Sequence, residues 1–154
     1  VFGGRSDDAQ MPLNLIMVLD QLFKTFEPRQ KFAEIFGTEE CDVVLYGEGC
    51  GAKIQKGGGN YNKDNADFVL FDVAINGIYL ERENAEDIAK KFGIKIVPII
   101  GHGTLEEAIE LTKKGFKSQW GDFTAEGIVA RPRVDLLTRM GERIITKVKY
   151  RDFN

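Results

Sequence analysis

The sequence has little of what most hydrolytic and metal-dependent sites are built from. Its single histidine, His102, argues against a Ser-His-Asp triad and against a multi-histidine metal centre. Its two cysteines, Cys41 and Cys50, match neither a zinc-ligand spacing nor a disulfide framework. They read as reduced thiols, which sets the expected location as cytoplasmic. No apolar run approaches the roughly 20 residues a membrane helix needs, so no membrane partner is expected. Repeats, low-complexity stretches and linkers are also missing. The opening Val1-Phe2-Gly3-Gly4 is neither a signal peptide nor a natural translation start, and it reads as the interior of a longer sequence.

What is present suits one domain over residues 1–154. Hydrophobic residues make up 43% of the chain and charged residues 29%. The net charge of −3 is unevenly spread. From Arg131 to Arg151 there are seven Lys/Arg and two Asp/Glu, a local +5, leaving −8 for the remainder. A basic segment on an acidic body points to a localised anion site, although a solvated charged face has the same signature.

Periodicity predicts a helix over Leu13–Phe26 after Pro12, a break at Pro28, and a second helix over Gln30–Phe36 ended by Gly37. Cys41–Tyr46 reads as a buried strand and 47–60 as a glycine-rich loop. Phe68–Ile75 and Ile78–Leu80 read as a hairpin about Asn76-Gly77. A helix over Asn84–Phe92, a strand over Ile94–Ile100 and a Thr104/Glu107-capped helix to Lys114 follow. Glu126–Ala130 and Ile144–Tyr150 read as the last strands. Hairpins mixed with helices, without regular βαβ alternation, make the fold class α+β with antiparallel sheets flanked by helices.

Four stretches place polar groups inside or beside strand-like runs. They are Leu45-Tyr46-Gly47-Glu48, Phe71-Asp72-Val73, Thr124-Ala125-Glu126-Gly127 and Thr146-Lys147-Val148-Lys149. Singly, each has an ordinary reading: a solvated Glu, a core Phe, an exposed strand face. Lysines at period two, however, share a face of a strand, and two like charges side by side are unfavourable unless solvent or an anion separates them.

In this order the stretches resemble the motifs of the covalent nucleotidyltransferases, and most closely the RNA ligase 2-like family of ATP-dependent RNA ligases. Glu48 with Ile54-Gln55-Lys56, Phe71-Asp72-Val73, Val97-Pro98 through Glu107, Phe123 through Val129, and Lys147-Val148-Lys149 carry the resemblance. Gly4-Arg5 carries it at the front. The resemblance implies an ATP-grasp-like nucleotidyltransferase domain that joins RNA 5′-phosphate and 3′-OH ends through lysyl-AMP and adenylylated RNA. It implies that Phe71 stacks on adenine and Glu48 accepts hydrogen bonds from ribose hydroxyls. Lys147 and Lys149 would hold the α-phosphate and stabilise charge as pyrophosphate leaves, and Glu126 would help hold Mg²⁺ or Mn²⁺. Arg5, Gln55 and Lys56 would help position the nucleotide or the RNA end. Expected partners are ATP and RNA ends or a nicked RNA duplex. Asp72 is expected to meet a backbone amide or water, and His102 has no assigned role.

One family feature is missing. The nucleophilic lysine belongs to a Lys-x-(Asp/His)-Gly motif, which occurs nowhere in these residues. The expectation is therefore a ligase domain truncated before that motif, completed by an N-terminal segment and unable alone to adenylylate itself. Gly57-Gly58-Gly59 is not a P-loop substitute, since no Gly-Lys-Ser/Thr follows. A capping-type guanylyltransferase, a DNA ligase fragment, half of a split ligase and a non-catalytic nucleotide- or RNA-binding module remain open alternatives.

Overall fold

A computed structural model describes residues 1–154 except Arg5, Asp7, Asp8, 38–40 and 55–57, with backbone alone at Phe26 and Gly58. The chain divides into two compact units, Val1–Val97 and Pro98–Asn154. Both mix helices with paired strands, so the α+β expectation holds.

In the first unit, α1 (Leu13–Phe23) and α2 (Phe26–Phe36) precede β1 (Val43–Gly51), β2 (Ala66–Ile75), β3 (Ile78–Tyr79), α3 (Arg82–Phe92) and β4 (Lys95–Ile96). β1 pairs antiparallel along the whole of β2, so β3 (antiparallel) and β4 (parallel) share the opposite edge. One face of β2 packs on the helices. Leu15 and Leu19 of α1, Phe68, Leu70 and Val73 of β2, and Ile88 and Phe92 of α3 form the core. Phe23 joins it edge-on to both Phe68 and Phe92, with ring centroids 5.8 Å apart in each case.

Several boundaries differ from the sequence reading. α1 ends at Phe23 instead of Phe26, with the Lys24 N–H donating to the Asp20 carbonyl. Pro28 does not break a helix; it is the third residue of α2, where the backbone N–H has no intrahelical partner to lose. β1 continues through Gly51, so the first part of the expected glycine-rich loop is strand. Its glycines serve close packing: a Cβ on Gly49 would strike Leu15 and one on Gly47 would strike Phe68. The expected strand over Ile94–Ile100 shrinks to Lys95–Ile96. One further bond, Val97 N–H to the Leu70 carbonyl, closes the pairing, and Pro98 has no N–H with which to extend it. The hairpin turn forms as expected, with Asn76 and Gly77 at φ 50° and 79°.

In the second unit, α4 (Leu105–Lys114) has both halves of the Thr104/Glu107 capping box. β5 (Gly127–Ala130) and β6 (Thr146–Lys149) pair antiparallel beside it, each shorter than the sequence suggests. Between them, residues 131–145 extend as a narrow ribbon held by a Leu137–Arg143 pairing.

Candidate functional site

The β1–β2 ladder contains one irregularity. Tyr46 pairs with Asp72 and Gly47 with Leu70, so Phe71 is an extra residue on β2 with no partner on β1. This is a β-bulge, a device that re-aims side chains and shifts the in/out phase of a strand. The core shows that shift: Phe68 and Leu70 lie in it before the bulge and Val73 after it. Phe71 is left on the other face with Val69, only half-buried.

Cross-strand partners share a face, so the register identifies what surrounds Phe71. Glu48 is paired with Val69, Tyr46 with Asp72, Cys50 with Asp67, Tyr79 with Ala74 and Lys95 with Val69. The sheet face away from the helices therefore carries an exposed carboxylate, Glu48, diagonal to an aromatic ring, Phe71. Around them, the Tyr46 and Tyr79 rings lie 5.5 Å apart, and Lys95 Nζ is 2.6 Å from the Asp67 carboxylate. Asp72 is buried. Cys50 is also buried, and burial pushes its thiol above the ordinary value of 9.0. The Asp67 charge adds to that shift, Lys95 opposes it, and Glu48 adds a smaller push.

Sequence reasoning singled out Glu48 and Phe71 and missed Tyr79 and Lys95. Their strands are two residues long, too short for a period to show, and only the pairing brings them onto this face.

In the second unit the register is equally definite. Lys147 lies opposite Val129 and Lys149 opposite Gly127, while Val148 between them is buried. Both lysines are exposed, as period two requires. Glu126, exposed, immediately precedes β5, and its carbonyl accepts from the Tyr150 N–H at 2.9 Å. Gly127 makes this approach possible: at φ 153° its missing Cβ would fall on the Val148 carbonyl oxygen. Five of the eight expected site residues thus fall into two groups, Glu48 with Phe71 in one unit and Glu126, Lys147 and Lys149 in the other. Arg5, Gln55 and Lys56 lie outside the described residues.

No cluster of three or more His, Cys, Asp or Glu is arranged to hold a metal among the described residues. A single exposed carboxylate such as Glu126 still fits Mg²⁺, which keeps most of its water and takes one or two carboxylates together with substrate phosphate oxygens. No helix among the described residues is long and apolar enough to cross a membrane. A surface groove lined in part by Val18, Leu22, Pro28, Lys31 and Phe92 contains none of the expected site residues.

A sequence model of the RNA ligase family matches residues 16–149, nearly the whole chain. The chain belongs to the RNA ligase family, in agreement with the family its motifs resemble. A comparison with curated proteins finds no match.

Proposed function

We propose that this chain is the adenylylation domain of an ATP-dependent RNA ligase, joining an RNA 5′-phosphate to a 3′-OH. The observation that carries the reading is a half-buried Phe71, unpaired at the bulge in β2, on the same sheet face as the exposed Glu48. A flat ring beside a hydrogen-bond acceptor suits a nucleoside: the ring stacks on the base and the carboxylate accepts from ribose hydroxyls. On the second unit, Lys147 and Lys149 stand on one face of β6 and hold the α-phosphate. Their ammonium groups stabilise the charge that develops as pyrophosphate departs. Glu126 supplies an oxygen ligand to Mg²⁺ or Mn²⁺, which offsets charge on the phosphates when bound. Arg5, Gln55 and Lys56 assist in placing the nucleotide or the RNA end.

The direct test is calorimetric titration of the 154-residue chain with ATP in the presence of Mg²⁺, with GTP as comparison. Saturable binding of ATP that is weakened by Phe71→Ala and by Glu48→Ala supports the reading. A chain that binds no nucleotide, or that prefers GTP, overturns it.

A further inference from the structure

The ribbon between β5 and β6 takes no part in the proposed chemistry, yet it holds the longest run of exposed residues among the described ones. Every residue from Arg133 to Glu142 is exposed, and Val134, Leu137 and Met140 show 74%, 59% and 88% of their surface. The ribbon has a defined shape nonetheless. The Thr138 N–H donates to the Glu142 carbonyl at 2.8 Å and the Ile144 N–H to the Leu136 carbonyl at 2.9 Å. An Arg143–Asp135 ion pair at 3.7 Å links its two sides. Arg133 and Arg139, by contrast, make no ion pair among the described residues.

We infer that residues 131–145 form an RNA-gripping arm in which Arg133 and Arg139 neutralise backbone phosphates flanking the reacting end. This rests on the RNA-ligase reading above and extends it to a surface that reading leaves unused. Three observations select a polyanion over another protein. First, the arm runs directly into β6, so its basic charge is continuous with Lys147, Lys149 and Arg151, a +5 segment on a body of −8. An RNA strand held at the lysines is repelled by the rest of the surface and attracted along the arm. Second, the tip at Met140 is seven residues from Lys147, a span of about 20 Å in extended chain, long enough to follow several nucleotides beyond the phosphate site. Third, the arm contains no aromatic residue. Readers of single bases use aromatic platforms, so the contact here is to backbone phosphate and sugar and does not depend on sequence. The exposed Val134, Leu137 and Met140 side chains are then available to lie against sugar faces.

The test is fluorescence anisotropy of 5′-phosphorylated RNAs of unrelated sequence, titrated with the chain at several salt concentrations, with ATP binding measured in parallel. Arg133→Gln/Arg139→Gln is expected to lower RNA affinity on the order of tenfold at low salt. It should flatten the log-affinity against log-salt slope by about two, one for each charge removed. The loss should be the same for every RNA sequence, and ATP binding should not change. An unchanged slope with normal ATP binding overturns the arm and leaves the ligase reading standing. A wild-type chain that binds neither ATP nor RNA overturns that reading itself. The arm is also overturned, in favour of a protein interface, if Leu137→Ser/Met140→Ser changes the oligomeric state while the arginine variant leaves RNA binding intact.

Discussion

Phe71 shares a sheet face with Glu48, lying two residues from the Val69 that pairs with Glu48, and it is the one residue of β2 that β1 leaves unpaired. Without the bulge, strict alternation through Leu70 would place Asp72 in the core and Val73 outside it. The extra residue lets Val73 return to the core while Phe71 stays beside the carboxylate.

Truncating Phe71 should therefore affect ligand and fold very differently. Phe71→Ala is expected to weaken ATP by roughly ten- to a hundredfold, the ~1–3 kcal/mol of a base–aromatic stack. Its effect on stability should stay well below that of Phe68→Ala, because Phe68 is buried in the core against Phe23 and a truncation there costs about 3–5 kcal/mol. Denaturant titration and ATP titration of the two variants separate these effects. A Phe71→Ala chain as unstable as Phe68→Ala would make the ring a core residue.

The exposed lysines of β6 predict a charge-specific loss. Lys147→Ala and Lys149→Ala should each weaken ATP by about ten- to a hundredfold, as expected for a charged hydrogen bond of ~1.5–3 kcal/mol. Adenosine, which has no phosphate, should bind the variants as it binds the parent chain. Competition binding with the two ligands is the measurement, and equal losses for both would remove the phosphate role.

What the sequence made legible follows from how local each signal is. The capping box at Thr104/Glu107, the Asn76-Gly77 turn and the period-two lysines are written in neighbouring residues, and all three form. The bulge at Phe71 is not local, since it exists only as a mismatch between two strands some 25 residues apart. The glycines of β1 misled for the same reason. Their purpose is to admit Leu15 and Phe68 from elsewhere in the chain, and in sequence alone they look like a loop. Lys95 and Tyr79 were illegible because strands of two residues carry no period.

The absence of Lys-x-(Asp/His)-Gly from these 154 residues carries its own consequence. Covalent adenylylation needs a lysine with a lowered pKa poised at the α-phosphate, whereas Lys147 and Lys149 are assigned to holding that phosphate. Incubated with α-labelled ATP and Mg²⁺ or Mn²⁺ and run on a denaturing gel, the chain should give no labelled band at 17.3 kDa. A labelled band would mean that one of its own lysines serves as the nucleophile.

Cys50 offers a probe of the Glu48 face. Burial, reinforced by Asp67 and Glu48, raises its thiol above 9.0. A thiol raised by folding stabilises the folded state below the unfolded value, and that stability is lost as pH rises through the higher folded value. Near pH 9.0, iodoacetamide should therefore label half-buried Cys41 well before buried Cys50. Asp67→Asn removes a charge that raises the Cys50 thiol, so Cys50 labelling should accelerate. Mass spectrometry of timed samples reads both rates, and equal rates in the native chain would contradict the burial.

Gly127 links the fold of the second unit to its chemistry. A Cβ there would overlap the Val148 carbonyl and come within 2.8 Å of the Lys149 Cα, both on the strand that carries the lysines. The backbone must give way, because neither atom is the end of a flexible side chain. Gly127→Ala is expected to cost about 1–3 kcal/mol of stability, typical of overpacking. It should also move Lys149 from its position opposite residue 127, so ATP affinity should fall while adenosine affinity holds. Gly101→Ala is the control in the same unit, since nothing lies within 4 Å of its Cβ position. If thermal unfolding and ATP titration find the two variants alike, the close approach of β5 to β6 does not set the lysines.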